Sequence, residues 1–174
     1  MSQTIRVRPA QLTDVPAMAH VNVQAWNETY RGLISDHILD DPGFTSARER
    51  QWNTVLTDPR FITHRVAVAE DNGIIVGIAM SGPGAQASDP LHLYVLYVLK
   101  QWHGSGAGTN LLEAVLAPWE AATLWVARPN PRAQAFYRKH GFRPDGIEKI
   151  EDDLPVVHMI RSDVADSRAA GGVE

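Results

Sequence analysis

Apolar residues recur with two periods along this chain. Residues 5–8 alternate and read as a short strand. From Thr13 or Asp14 the apolar spacing becomes helical to about Glu28, with Pro16 in the first turn. Gly32 marks a bend, and a second helical region covers residues 35–56, broken near Asp41-Pro42-Gly43. Residues 65–70 and 74–80 read as strands joined by Asp71-Asn72-Gly73, a hairpin signal. Residues 81–90, rich in Gly, Ala, Ser and Pro, read as a loop, and residues 91–99 as an apolar strand. Leu111, Leu112, Val115 and Leu116 form one face of a helix, followed by a short strand at residues 124–127. Ala133, Phe136 and Tyr137 then return to helical spacing, with Asn130 placed to cap that helix and Gly141 to end it. A turn at Pro144-Asp145-Gly146 precedes strands near 147–150 and 156–161. Strands gathered in mid-chain among helices predict an α/β fold (an α+β sandwich) around one mixed sheet. Residues 1–161 are expected to form one domain, and residues 162–174, poor in apolar content, a disordered tail.

Composition narrows the function classes. The 174 residues are 44% hydrophobic and 21% charged, ordinary for a globular protein with its own core. A net charge of −4 without a Lys/Arg block gives no support to nucleic-acid binding. The absence of cysteine excludes disulfides, thiolate metal sites and a cysteine nucleophile, and no metal is expected. No apolar run approaches the ~20 residues that span a bilayer, and the N-terminus lacks a signal-peptide core. No membrane association and a cytoplasmic location are therefore expected.

The candidate chemistry begins at Gln101-Trp102-His103-Gly104-Ser105-Gly106-Ala107-Gly108-Thr109, between the 91–99 strand and the Leu111 helix. Glycines at every second position free main-chain N–H groups at a helix start, where an anion is favoured. The dinucleotide fingerprint fails because Thr109 stands where its third glycine belongs. The P-loop fails because no Lys-Ser or Lys-Thr follows. An NADP enzyme is thereby disfavoured, while a glycine-rich turn with no ligand also fits this spacing.

In the order strand ending Leu96-Tyr97-Val98, glycine turn and helix, strand with Asn130, and Phe136-Tyr137-(x)3-Gly141-Phe142, the chain resembles the GNAT acyltransferase superfamily. Residues 5–10 with Thr13-Asp14 are similar to the family's opening strand and helix, so the likeness covers about residues 5–161. It implies a mostly antiparallel sheet of about seven strands, splayed between the fourth and fifth to admit pantetheine. It implies acetyl-CoA as cosubstrate, a primary amine of a small molecule or peptide as acceptor, and allows a homodimer. The family turn, Arg/Gln-x-x-Gly-x-Gly/Ala, fits from Gln101 but sits better from His103, counted back from the helix.

By this resemblance the turn Gly104, Ser105, Gly106, Ala107, Gly108 and Thr109 cradles the diphosphate, with His103 either a donor to phosphate or a surface turn histidine. The main chain of Tyr97, Val98 and Leu99 pairs with pantetheine, and a Val98 or Leu99 N–H polarises the thioester carbonyl. Asn130 either bonds the pantetheine arm or only caps its helix. Tyr137 stands at the family's general-acid position, its alternative being a core tyrosine beside Phe136. The glutamate that family members often carry on the preceding strand is missing. His92 is the first candidate base, with Glu70, Asp89 and solvent as alternatives, and an exposed sheet histidine as the plain reading. Trp26, Tyr30 and Arg31, then residues 48–52, are expected on the acceptor side. There Glu28, Asp36, Asp40 and Asp41 either favour a cationic amine or form a solvated acidic face. A non-catalytic acyl-CoA-binding module is the alternative to an N-acetyltransferase.

Overall fold

A computed structural model describes residues 4–163. The expected tail from 164 onward lies outside them. Seven strands form one sheet in the order β1-β2-β3-β4-β5-β7-β6. They are β1 (Ile5–Pro9), β2 (Arg65–Asp71), β3 (Ile74–Gly82), β4 (Leu91–Val98), β5 (Ala122–Ala127), β6 (Arg143–Glu151) and β7 (Leu154–Arg161). All neighbours are antiparallel except β4 and β5. The helices are α1 (Val15–Tyr30), α2 (Asp36–Leu39), α3 (Phe44–Thr57), α4 (Ala107–Val115) and α5 (Pro131–Lys139). The break expected at Asp41-Pro42-Gly43 separates α2 from α3.

Each helix lies where its apolar face finds the sheet. In α1, Val15, Met18, Val21 and Ala25 recur every three or four residues and pack with Trp52 and Val55 of α3 on Val68 and Ile78. In α4, Ala107, Leu111, Leu112 and Val115 are almost solvent-free and cover the opposite face with Tyr137 and Phe142. α4 comes close there because β3 carries Gly77, where a Cβ would stand 2.8 Å from Leu111 Cδ1. A small third cluster joins Ile34 and Leu39 to Ala127 and Leu154. Asn72 and Gly73, at φ 51° and 81°, make the β2–β3 hairpin the tight turn its sequence announced.

Two features differ from the sequence reading. The turn expected at 144–146 is a bulge inside a longer β6: Pro144 pairs with Met159 and Glu148 with Val157, with Gly146 at φ 90°. Every residue of β6 is exposed at the sheet edge, so it lacks the apolar alternation that marks a strand. β4 is also bulged. Met80 pairs with Val95 and Ser81 with Leu93, leaving Tyr94 as the extra residue. Leu91 and Leu93 therefore pack toward α4, whereas Val95 and Tyr97 pack toward α1 and α3. His92 and Tyr97, five residues apart, end on the same face; an unbroken strand would put them on opposite faces.

Candidate active site

The sheet opens between β4 and β5. Pairing is confined to Leu91–Leu93 against Ala122–Leu124, after which the strands part. The resulting cleft holds about 1090 Å³. Its β4 wall presents unpaired main chain. The Leu99 N–H donates to Val76 O at 2.9 Å. The Val98 carbonyl of that trans peptide consequently points the other way, into the cleft, where His103 Nε2 meets it at 2.8 Å. By the two-residue repeat, the Leu96 groups face the cleft as well. Leu99, expected to share this role, is excluded by its bond to β3, and its side chain is buried in the core.

At one end of the cleft lies the glycine turn. Gly106 is the N-cap of α4, at φ 90° and ψ −7°, a left-handed conformation that disfavours a Cβ. Asn110 is the first residue to close a helical bond, onto Gly106 O. The N–H groups of Gly108 and Thr109 precede it and lack helical acceptors. Ala107 N–H is held by Ser105 Oγ, which itself donates to Trp102 O. His103, Gly104, Gly106, Gly108 and Thr109 line the cleft, but the side chains of Ser105 and Ala107 do not. Ser105 shapes the turn, and Ala107 is fully buried under the sheet. Lys100, Arg132 and Lys139 also line the cleft and add positive charge. The sequence reading missed all three: Lys100 precedes the glycine turn, Arg132 follows Pro131, and Lys139 lies in the basic run Arg138-Lys139-His140.

Asn130 lines the cleft and caps α5: its Oδ1 accepts the Ala133 N–H at 3.1 Å. The side-chain oxygen is thus spent on the helix, and only the amide nitrogen is left for a ligand. Tyr137, one helical face further, is buried yet reaches the cleft wall. Its hydroxyl has no hydrogen-bond partner among the described residues. Burial pushes the Tyr137 phenol well above its ordinary pKa, and the nearby Tyr97 and Tyr30 hydroxyls push the same way. Tyr97 Oη accepts the Trp26 indole N–H at 2.9 Å, a contact between α1 and β4 that no local pattern revealed.

His92 stands beside the last β4–β5 pairs, where the cleft closes. Its Nδ1 lies 2.7 Å from Thr123 Oγ1, and its ring packs edge-on to Tyr94 at 4.7 Å. With Nδ1–H donated to Thr123, Nε2 keeps its lone pair. Burial lowers the His92 pKa, helped by His158 and Lys149 and opposed by Glu151, so the ring is neutral at pH 7. The other candidate bases are engaged elsewhere. Glu70 is paired with Arg8 and Arg6, and Asp89 Oδ2 holds the Gln86 N–H in a loop turn.

On the acceptor side Trp26 and Tyr30 line the cleft, in edge-on contact at 5.2 Å. Arg31 does not. It points to the surface, bonded to Asn27, Asp36 and Asp40, because the bend at Gly32 folds α2 back beneath it. The acidic residues are mostly committed: Asp36 and Asp40 to Arg31, Asp41 to Gly43 N–H, and Glu28 to Lys100 N–H. Arg48 reaches the cleft from α3, and Trp125, Lys149 and Glu151 from the far leaf of the sheet. No group of three or more metal-ligating side chains occurs among the described residues. No helix among them is long and apolar enough to cross a membrane.

A parted parallel strand pair with an uncapped helix start beside it is the framework of an acyl-CoA N-acyltransferase fold, and comparison with known proteins agrees. The acetyltransferase (GNAT) domain family matches residues 45–162, more than half of the chain. The uncharacterized N-acetyltransferase Rv2669 of Mycobacterium tuberculosis is 39% identical over 143 residues, covering 78% of this chain and 86% of that protein. The uncharacterized N-acetyltransferase YuaI of Bacillus subtilis is 27% identical over 162 residues, covering 89% and 88%. In fold, the chain is similar to the PaiA N-acetyltransferase of Thermoplasma acidophilum, solved in complex with coenzyme A. The TM-score is 0.69 at 18% identity, covering 89% of this chain and 98% of that one. The chain belongs to the GNAT acetyltransferase family, and it is an acyltransferase.

Proposed function

We propose that this protein transfers an acetyl group from acetyl-CoA to a primary amine of a small molecule or peptide by direct attack. The observation that carries this reading is the parting of β4 and β5, with anion-binding main chain at one end and Tyr137 and His92 along its walls. Acetyl-CoA, when bound, supplies a thioester whose carbonyl carbon is open to attack.

The residues divide the remaining work. The N–H groups of Gly106, Gly108 and Thr109 hold the diphosphate, with Lys100, Arg132 and Lys139 adding charge. The Leu96 and Val98 main chain pairs with the amide groups of the arm as an added strand would. For that pairing His103 gives up its bond to Val98 O. The Val98 N–H is the donor aimed at the carbonyl oxygen as charge develops there. His92 Nε2 takes the proton the amine sheds as its nitrogen bonds to carbon, and Tyr137 delivers a proton to sulfur as the carbon–sulfur bond breaks. Burial keeps the phenol protonated at neutral pH, and the same dry wall makes an unprotonated thiolate costly. Tyr94 and Trp125 crowd the closed end of the cleft and favour a short acyl group.

Thiol release from acetyl-CoA with a broad amine panel, followed across pH, tests this function. Amine-dependent release is expected. Tight coenzyme A binding with no release for any amine contradicts transfer, and absence of coenzyme A binding contradicts the site.

A further inference from the structure

Resting on that reading, the cleft also carries information about the acceptor. Arg48, on the first turns of α3, lines it beside Trp26, Tyr30 and Tyr97. Its guanidinium carbon stands 4.8 Å from the Phe44 ring centroid and 5.4 Å from that of Trp26. One nitrogen, Nη1, donates to Gln51 Oε1 at 2.8 Å. The Nε is shielded from solvent and has no acceptor among the described residues. No carboxylate among the described residues pairs with it, although half of their arginines do form such pairs.

A buried N–H without a partner is destabilising. Cation–π stacking on the two rings offsets part of that penalty but leaves the outer edge of the guanidinium unused. The acids that might neutralise it are taken: Glu28 by Lys100 N–H and Gln24, Glu151 by Lys149 at 3.2 Å, and Asp41 by Gly43 N–H. Nη2 and the second hydrogen of Nη1 have no acceptor among the described residues, and these two form the edge that grips a planar carboxylate. Across the cleft, His92 Nε2, the atom assigned to the amine's proton, has no partner among the described residues.

We infer that the acceptor is an amine bearing a carboxylate, of the amino-acid class, with its carboxylate on Arg48 and its amine toward His92. The test compares each common α-amino acid with its carboxamide and with the amine left by decarboxylation, as acceptors in a thiol-release assay. The wild-type protein should use the acid at least tenfold better in kcat/KM than either analogue. In Arg48→Gln that preference should collapse toward one, through KM rather than kcat, and Arg48→Lys should restore part of it. Calorimetry with coenzyme A should give the same affinity for all three proteins. Amides or simple amines used as well as the acids by the wild type overturn the inference and leave acetyl transfer standing. So does an acid preference that survives Arg48→Gln. Absence of release with every amine, acids included, overturns transfer itself and this inference with it.

Discussion

Replacing Tyr137 by Phe removes one atom whose loss the fold should scarcely register. The hydroxyl makes no hydrogen bond to described protein groups, while the ring keeps its contacts with Phe136 and Phe142 at 5.4 and 5.9 Å. A stability change within about 0.5 kcal/mol is expected, or a Tm shift below roughly 2 °C for a chain of this size. Coenzyme A affinity should stay within about threefold, since the turn and the β4 main chain are untouched. Turnover is different. A positioned acid contributes about 10²- to 10⁴-fold, and a thiolate, the conjugate base of a thiol with a pKa near 8.5, leaves with less help than an alkoxide. The low end applies, so kcat should fall about 100-fold, equivalent to roughly 2.7 kcal/mol of barrier. The phenol pKa is raised, so its protonated form persists above pH 10, and the wild type should show no alkaline loss from this group below that pH. Steady-state thiol release, thermal melts and calorimetry on the two proteins give all these numbers. A variant with kcat within threefold of wild type and unchanged affinity would reduce Tyr137 to a core residue.

The glycine turn should respond unequally. Gly106→Ala meets no atom within 4 Å but forces a Cβ onto φ 90°, costing about 1–2 kcal/mol, a Tm loss of roughly 3–6 °C, and weakening coenzyme A binding in calorimetry. Gly108→Ala sits in helical backbone with its Cβ in contact with Phe136 at 3.4 Å. It should hold stability within about 1 kcal/mol and keep coenzyme A affinity. For His92, whose pKa is lowered by burial, wild-type kcat/KM should be level at pH 7 and fall only at pH below the ordinary imidazole range as the base protonates. His92→Gln should lower it by about tenfold or more and flatten that acid limb; an unchanged limb assigns it to another group. Asp14 accepts two hydrogen bonds from Arg8, at 2.7 and 2.9 Å, and one from the Gln11 N–H. Asp14→Asn should cost about 2–3 kcal/mol in denaturant unfolding. Because the Arg8 bonds hold the Asp14 pKa below the usual carboxylate value, this stability is present above that value and is lost as pH falls through the depressed one. The acid-unfolding slope of the variant should be correspondingly shallower.

The parts of the site legible in the sequence are those in which function is written locally. The glycine turn, Tyr137 and Asn130 each sit at a fixed offset from a helix boundary, and His92 lies on a strand that alternation identifies. What escaped depends on partners far along the chain. The Leu99 N–H is claimed by Val76, a β3 residue that one strand's sequence does not reveal. Arg31 carried the expected charge beside Tyr30, but Asp36 and Asp40, folded back at Gly32, fix it to the surface. Lys149 and Glu151 come from the edge hairpin, whereas Arg48 lies in the 48–52 stretch expected on the acceptor side. The tip of that hairpin, Asp152-Asp153, has φ of 50° and 61° and carries a turn signal that went unread. The β4 bulge at Tyr94 is likewise silent in sequence, yet it sets His92 and Tyr97 on one face.

A crystal structure of the protein with coenzyme A is the most direct measurement. The diphosphate should lie within hydrogen-bond distance of the Gly106, Gly108 and Thr109 N–H groups. The arm should run between β4 and β5, bonded to Val98 main chain, with its sulfur beside the Tyr137 hydroxyl. Coenzyme A bound away from the β4–β5 opening, or with its sulfur turned from Tyr137, would contradict the account.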